Sequence, residues 1–252
     1  MFDTLLEAVT GAGKIVANHF GKIGFRYKTP GVLGSVQTQA DTDAEKYIIE
    51  TIRKKYPTHS ILTEEGGSVE NDSEYTWIID PMDGTQDFVL GMHEFGSAIA
   101  LAHHDKIIAS AVFFPLMNEL YAAQLGKGAT LNSIPIHVSS TKELDKCATI
   151  GMGRGKSERR YDFDPMIVRN SRFVRVFSAT FQACRVADGR FDGCACMLHE
   201  PWDVAAASLI ITEAGGIVTN HEGGMFDWRS GEMLASNGLI HDKMRMYIHK
   251  IK

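Results

Sequence analysis

The chain reads as an α/β protein of layered build, and three observations carry that reading. Short apolar strands end in acid and glycine: Ser60–Thr63 runs into Glu64-Glu65-Gly66-Gly67, and residues 76–80 run into Pro81-Met82-Asp83-Gly84-Thr85. Open α/β sheets keep their ligands at such carboxyl ends of strands. Amphipathic helices open the chain, with apolar residues three and four apart. The second half alternates strand and helix, as layers packed on a sheet require.

In order, Leu5, Leu6, Val9, Ala12, Val16 and Phe20 give residues 3–20 one apolar face, with Asp3, Glu7 and Lys14 between them. That stretch lacks the basic start and unbroken apolar core of a signal peptide. The Gly-rich residues 21–35 read as a turn and a mobile hairpin. Ala44, Ile48, Ile49 and Ile52 face one way in a helix over 41–56, which Pro57 stops. The two short strands follow, and Pro81 is expected to end the second. Gly96–His103, Lys106–Phe114 and 120–124 form a meander, since their connections are too brief for helices. Beyond it come strands at 148–151, 173–176 and 191–195, with helices from about Ser157 and over Ala179–Ala187. A helix over 202–214 stops at Gly215-Gly216. Strands at Ile217–Thr219 and 233–235 precede a last helix from Leu239.

With 252 residues the chain is one large domain or two small ones, with any boundary near residue 140 inside a compact body. Its composition, 44% hydrophobic and 23% charged, argues against disorder. A net charge of −5 gives no broad electrostatic reason to bind nucleic acid or an anionic membrane. No apolar run reaches the roughly 18 residues of a membrane span. Four cysteines fit free thiols in a reducing compartment, so the expected location is the cytoplasm. Cys194 and Cys196, near Cys184 and His199, raise the alternative of zinc, but their spacing matches no common zinc pattern.

The chemistry lies in the acids. Asp80 and Asp83 stand three apart before a Gly-Thr turn, and Glu64 and Glu65 end the neighbouring strand. Asp203 follows Pro201-Trp202 at a helix start, either as a cap or as a ligand. Asp41 and Asp43 either begin a helix or add a catalytic carboxylate. Carboxylates converging at one low-dielectric spot need cations, and all-oxygen ligation suits magnesium.

Leu62-Thr63-Glu64-Glu65, Trp77-Ile78-Ile79-Asp80-Pro81-Met82-Asp83-Gly84-Thr85 and Pro201-Trp202-Asp203-Val204-Ala205-Ala206-Ala207, through Thr212-Glu213-Ala214-Gly215-Gly216, resemble in order the signature regions of the inositol monophosphatase family. The resemblance implies an α-β-α-β-α sandwich, two or three Mg2+ per subunit, lithium sensitivity, a homodimer and hydrolysis of a small phosphate monoester. Residues 1–140 would then carry the metal and phosphate motifs, and residues 141–252 the substrate loops and the second-metal aspartate. Glu64, Asp80 and the Met82 carbonyl resemble the first metal's ligands; Asp80, Asp83 and Asp203 resemble those of the second, and Glu65 an outer or third-metal contact. The backbone N–H groups of Gly84 and Thr85 would receive phosphate. Thr85, hydrogen-bonded to Asp41 or Glu64, would help deprotonate the attacking water, with no covalent phosphoenzyme.

The chain departs from the family at Asp87, where asparagine is usual, and at Met82, where isoleucine is more common. Cys196 stands where these enzymes place an acid for sugar hydroxyls, and Glu200 lies close enough to compensate. The loop from Gly151 to Ser157 lacks P-loop spacing; its Arg154 and Lys156, with Arg159 and Arg160, either meet an acidic substrate group or form a solvated helix start. Inositol monophosphate is therefore the first expected substrate. Histidinol phosphate, 3′-phosphoadenosine 5′-phosphate and a regulatory binding role on the same scaffold are the alternatives.

Overall fold

Three apolar clusters fill the spaces between five layers of structure. The computed structural model describes residues 1–22, 24–28, 36–144, 149–154, 161–163, 171–175, 178–197 and 199–250. Helices α1 (Phe2–His19) and α2 (Gln39–Lys55) form the first layer. Strands β1 (Phe25–Tyr27) and β2 (Val36–Thr38) pair antiparallel, so the second strand of the hairpin expected over residues 21–35 lies beyond that range; residues 29–35 are outside the described residues. Helix α2 begins at Gln39 because Thr38 caps it. The Thr38 hydroxyl accepts from the Ala40 N–H, and the Asp41 carboxylate accepts from the Thr38 N–H.

The second layer contains β3 (Ser60–Thr63), β4 (Gly67–Val69), β5 (Tyr75–Asp83), β6 (Gly96–His103), β7 (Lys106–Phe114), β8 (Glu119–Gln124), β9 (Ala129–Leu131) and β10 (Ile134–Pro135). Their spatial order is β10-β9-β8-β7-β6-β5-β3-β4, with β3 and β5 parallel and the remaining pairs antiparallel. The meander is as read. The short strands β4, β9 and β10 escape sequence reading because two or three residues carry no period.

Strand β5 corrects the reading of Pro81. The strand does not stop there but runs on to Asp83, and the pairing with β6 skips from Asp80↔Ala98 to Asp83↔Gly96. Pro81 thus sits in a register break, where a missing N–H costs no ladder bond. The Ser97 hydroxyl donates to the Pro81 carbonyl at 2.7 Å and closes the bend.

Short α3 (Thr85–Val89) follows β5. The third layer is α4 (Ala179–Ala187) with α5 (Pro201–Glu213). Residues 204–211 of α5 are buried on every side, which explains why this helix shows no amphipathic stripe. Alternation along β6 serves both neighbours. Ala98, Ala100 and Ala102 belong to the cluster shared with α5, while Ile99 and Leu101 belong to the one shared with α1 and α2.

Strands β11 (Thr149–Arg154), β13 (Arg172–Arg175), β14 (Gly193–Met197), β15 (Ile217–Thr219) and β16 (Met233–Ser236) form the fourth layer, in the order β13-β11-β14-β16-β15. The fifth is α6 (His241–Met246), whose Met244 packs with Ile150, Ala195 and Leu234. The last predicted helix is thus shorter than expected, and β17 (Ile248–Lys250) follows it. Most of the helix expected from Ser157 falls outside the described residues. Tyr161–Phe163, inside that range, is instead strand β12, antiparallel to β17. Among the described residues no helix is long and apolar enough to cross a membrane.

Candidate active site

Parallel pairing of β3 with β5 in the register Thr63↔Ile79 brings the next residue of each chain segment, Glu64 and Asp80, to one end of the sheet. The bend at Pro81 then carries Asp83 to the same end. From the far side, α5 starts at Pro201 and presents Asp203 from its first turn. Asp80, Asp83 and Asp203 each offer a carboxylate oxygen, and these atoms all lie within 4.8 Å of one another. Asp203 is both helix cap and cluster member, since its Oδ2 accepts from the Glu200 N–H at 2.8 Å and lies 3.1 Å from His199 Nδ1.

The charges in this cluster oppose one another. Burial, then Glu64, Asp83 and Asp203, hold the Asp80 carboxyl well above the usual range. Burial and Asp203 also push Asp83 up, against hydrogen bonds from Ser178 and Thr180. Three carboxylates this close, two buried and Asp203 half-buried, ionise together only beside positive charge, and hard oxygen donors fit magnesium. These residues therefore fit the metal that the acids implied.

Asp83 is held more firmly than its sequence shows. It accepts from the Ser178 hydroxyl at 2.6 Å, the Ala179 N–H at 3.2 Å, the Thr180 N–H at 2.6 Å and the Thr180 hydroxyl. Its carboxylate thus sits on the N-terminus of α4, where the helix dipole favours an anion. Asp87 is buried and accepts from the Ser178 N–H at 2.9 Å, so the departure from asparagine is tied into the same support.

Thr85 donates toward Asp41 Oδ1 at 3.2 Å and toward the Met82 carbonyl at 3.0 Å. Of the two partners read for Thr85, the hydrogen bond goes to Asp41. Burial pushes the Asp41 carboxyl up to about 7 against its Thr38 hydrogen bonds, and Glu65 and Glu64 add to the rise. Gly84 is left-handed at φ 83°, and a Cβ there would meet the Glu94 carbonyl at 2.7 Å. Only glycine lets the chain turn so closely into α3.

Glu64 lies outside the three-acid group. Its Oε1 accepts from Lys28 Nζ at 2.9 Å, and Glu65 Oε1 accepts from the same ammonium at 2.5 Å. Burial opposes the Lys28 ammonium, but Glu64 and Glu65 outweigh it and hold its pKa up. No periodicity marks Lys28; only its place before Pro30 in the Gly-rich hairpin singles it out.

Two expected substrate contacts are placed differently from the acids. Cys196 is fully buried in the core, next to Cys194 and Gln182, and its thiol is raised by the hydrogen bond to Cys194 and by burial. Glu200 is exposed at the cap of α5. Cys184, Cys194 and Cys196 are free thiols, and no cysteine joins a metal-competent group among the described residues. Lys156, Arg159 and Arg160 lie outside the described residues, and only the backbone of Arg154 is described, at the end of β11.

The sequence profile of the inositol monophosphatase family matches residues 1–252. The chain belongs to this family. A relative named Nus factor SuhB in Haemophilus influenzae is 33% identical over 250 residues, covering 97% of this chain and 94% of that protein. The Vibrio cholerae Nus factor SuhB is 35% identical over 243 residues, covering 94% and 91%. Among solved structures, extragenic suppressor protein suhB from Bartonella henselae superposes with a TM-score of 0.88 at 29% identity, covering 97% of this chain and 96% of its own. The Thermotoga maritima IMPase gives 0.87 at 30% identity, covering 97% and 95%. The layered architecture is thus the family's own.

Proposed function

We propose that this chain hydrolyses a small phosphate monoester, inositol monophosphate first, with magnesium held by Asp80, Asp83 and Asp203, and Glu64 and the Met82 carbonyl completing the ligands. The convergence of the three aspartates within 4.8 Å carries this reading. Magnesium, when bound there, neutralises the carboxylates and polarises both water and phosphate.

The protein's own residues supply positioning and proton transfer. The Gly84 and Thr85 N–H groups lie at the sharp turn after Asp83, where they can orient an anionic phosphate. Thr85 Oγ1 accepts a proton from the attacking water as its own proton passes to Asp41 Oδ1, 3.2 Å away. The Asp41 carboxylate is the base for that proton, held in place by its hydrogen bonds from Thr38. Buried Cys196 offers sugar hydroxyls little, which keeps histidinol phosphate and 3′-phosphoadenosine 5′-phosphate as alternatives. We place the enzyme in the cytoplasm as a homodimer.

A second reading has its own support. The H. influenzae and V. cholerae relatives are named Nus factor, not phosphatase, and they align over nearly the whole chain. We propose that this chain also serves as a regulatory binding protein, and on the names of relatives this role is the better supported. A macromolecular partner therefore joins the proposal, and the expectation of small ligands alone is not kept. Phosphate release from the three substrates, with magnesium and with or without lithium, tests both readings. Magnesium-dependent, lithium-inhibited turnover supports catalysis; no turnover on any ester, with a stable macromolecular complex, favours the regulatory role alone.

A further inference from the structure

At the end of β5 remote from the acids, three side chains outside the site described above converge. Glu74, His103 and His104 each offer a ligand atom, and these atoms all lie within 4.8 Å of one another. His103 Nε2 stands 3.5 Å from Glu74 Oε2, and His104 Nε2 stands 3.6 Å from Glu74 Oε1. Glu74 to Asp80 spans six residues of extended chain, roughly 20 Å.

We propose that this trio is a second metal site, for a borderline divalent ion of the zinc, nickel or copper class. Ligand spacing supports this first. Zinc bonds of about 2.0–2.1 Å in a tetrahedron place neighbouring ligand atoms roughly 3.3–3.5 Å apart, and each histidine stands near that separation from one Glu74 oxygen, His103 from Oε2 and His104 from Oε1. The donor set supports it second, because two imidazoles and one carboxylate favour borderline ions and are poor ligands for magnesium. One position stays open to solvent, since His104 and Glu74 are exposed.

The backbone holds these groups in place without the metal. Successive strand residues point to opposite faces, so two adjacent histidines converge only at a turn. His104 supplies it with a left-handed φ of 52°, and its N–H donates to the Glu74 carbonyl at 2.7 Å. The Asp105 carbonyl accepts from the Trp228 indole at 3.1 Å, and its side chain accepts from Arg229 at 2.7 Å. The ring of His103 stacks on Tyr75 with centroids 4.7 Å apart, and Tyr75 stacks on His59 at 4.9 Å.

The test is zinc titration of the magnesium-saturated full chain by calorimetry, comparing wild type with Glu74→Gln and His104→Asn. Asparagine tolerates the left-handed turn, and circular dichroism checks that each variant folds. The acidic centre is intact in all three proteins, so their difference reads only this trio. Wild type should bind one zinc ion that magnesium does not displace, and each variant should bind it at least about tenfold more weakly. Equal zinc affinity and stoichiometry in wild type and both variants would overturn the assignment.

Discussion

Replacing Asp41 by asparagine should stabilise the metal-free protein at neutral pH while removing its catalysis. In the unfolded chain this carboxyl ionises near 3.8, and in the folded protein near 7. Between those values the folded state keeps a proton that the unfolded state has lost. Stability therefore falls as pH rises across the interval, by about 1.4 kcal/mol per unit and about 4 kcal/mol in all. Asparagine mimics the protonated acid at every pH, and its amide oxygen can still accept from Thr38. Relative to wild type, Asp41→Asn should gain about 2 kcal/mol between pH 5 and pH 7, roughly 4–8 °C in Tm for a chain of this size. Scanning calorimetry with EDTA at both pH values measures it. A stability difference that does not change between pH 5 and 7 would refute the idea that a destabilised carboxyl is kept at this position. In the turnover assay the same variant should lose at least about a hundredfold in kcat, because Thr85 then has no acceptor for its proton.

Asp83→Asn should nearly abolish magnesium-dependent turnover while the circular dichroism spectrum persists; a variant keeping most of its rate would exclude Asp83 from the metal set. Gly84→Ala forces a Cβ against the Glu94 carbonyl, at a cost of roughly 1–3 kcal/mol in denaturant midpoint analysis. Lys28→Met removes the ammonium that competes for Glu64, so calorimetry should show magnesium binding about fivefold more tightly. Unchanged affinity would mean that Lys28 and the metal do not share that carboxylate.

The sequence showed the site in outline because its acids occur at strand ends and a helix start, positions that local chemistry marks. It marked Asp80, Asp83, Glu64 and Asp203, and the helices and meander around them, through period and turn residues. It did not reveal what holds Asp83, because Ser178 and Thr180 lie 95 and 97 residues further on. The single local clue was Ser178 ahead of a helical stretch, which reads as a cap and gives no hint that a distant acid shares the helix end. Pro81 misled for the opposite reason. Proline usually breaks a central strand, yet here a register skip accommodates it. The burial of Cys196 is not legible in the sequence, because β14 packs core on both faces: Cys194 and Cys196 join one apolar cluster and Ala195 another.

The bond between Asp83 and the first turn of α4 has a consequence for biogenesis. Asp80 and Asp83 leave the ribosome long before Ser178 to Thr180 and Asp203, and contacts of such large sequence separation close late. A nascent chain with only its first sheet carries mutually repelling acids without their hydrogen-bond donors or their third member. Ion binding at this centre thus becomes a certificate of completed assembly, granted only when the last-made part of the chain has docked onto the first.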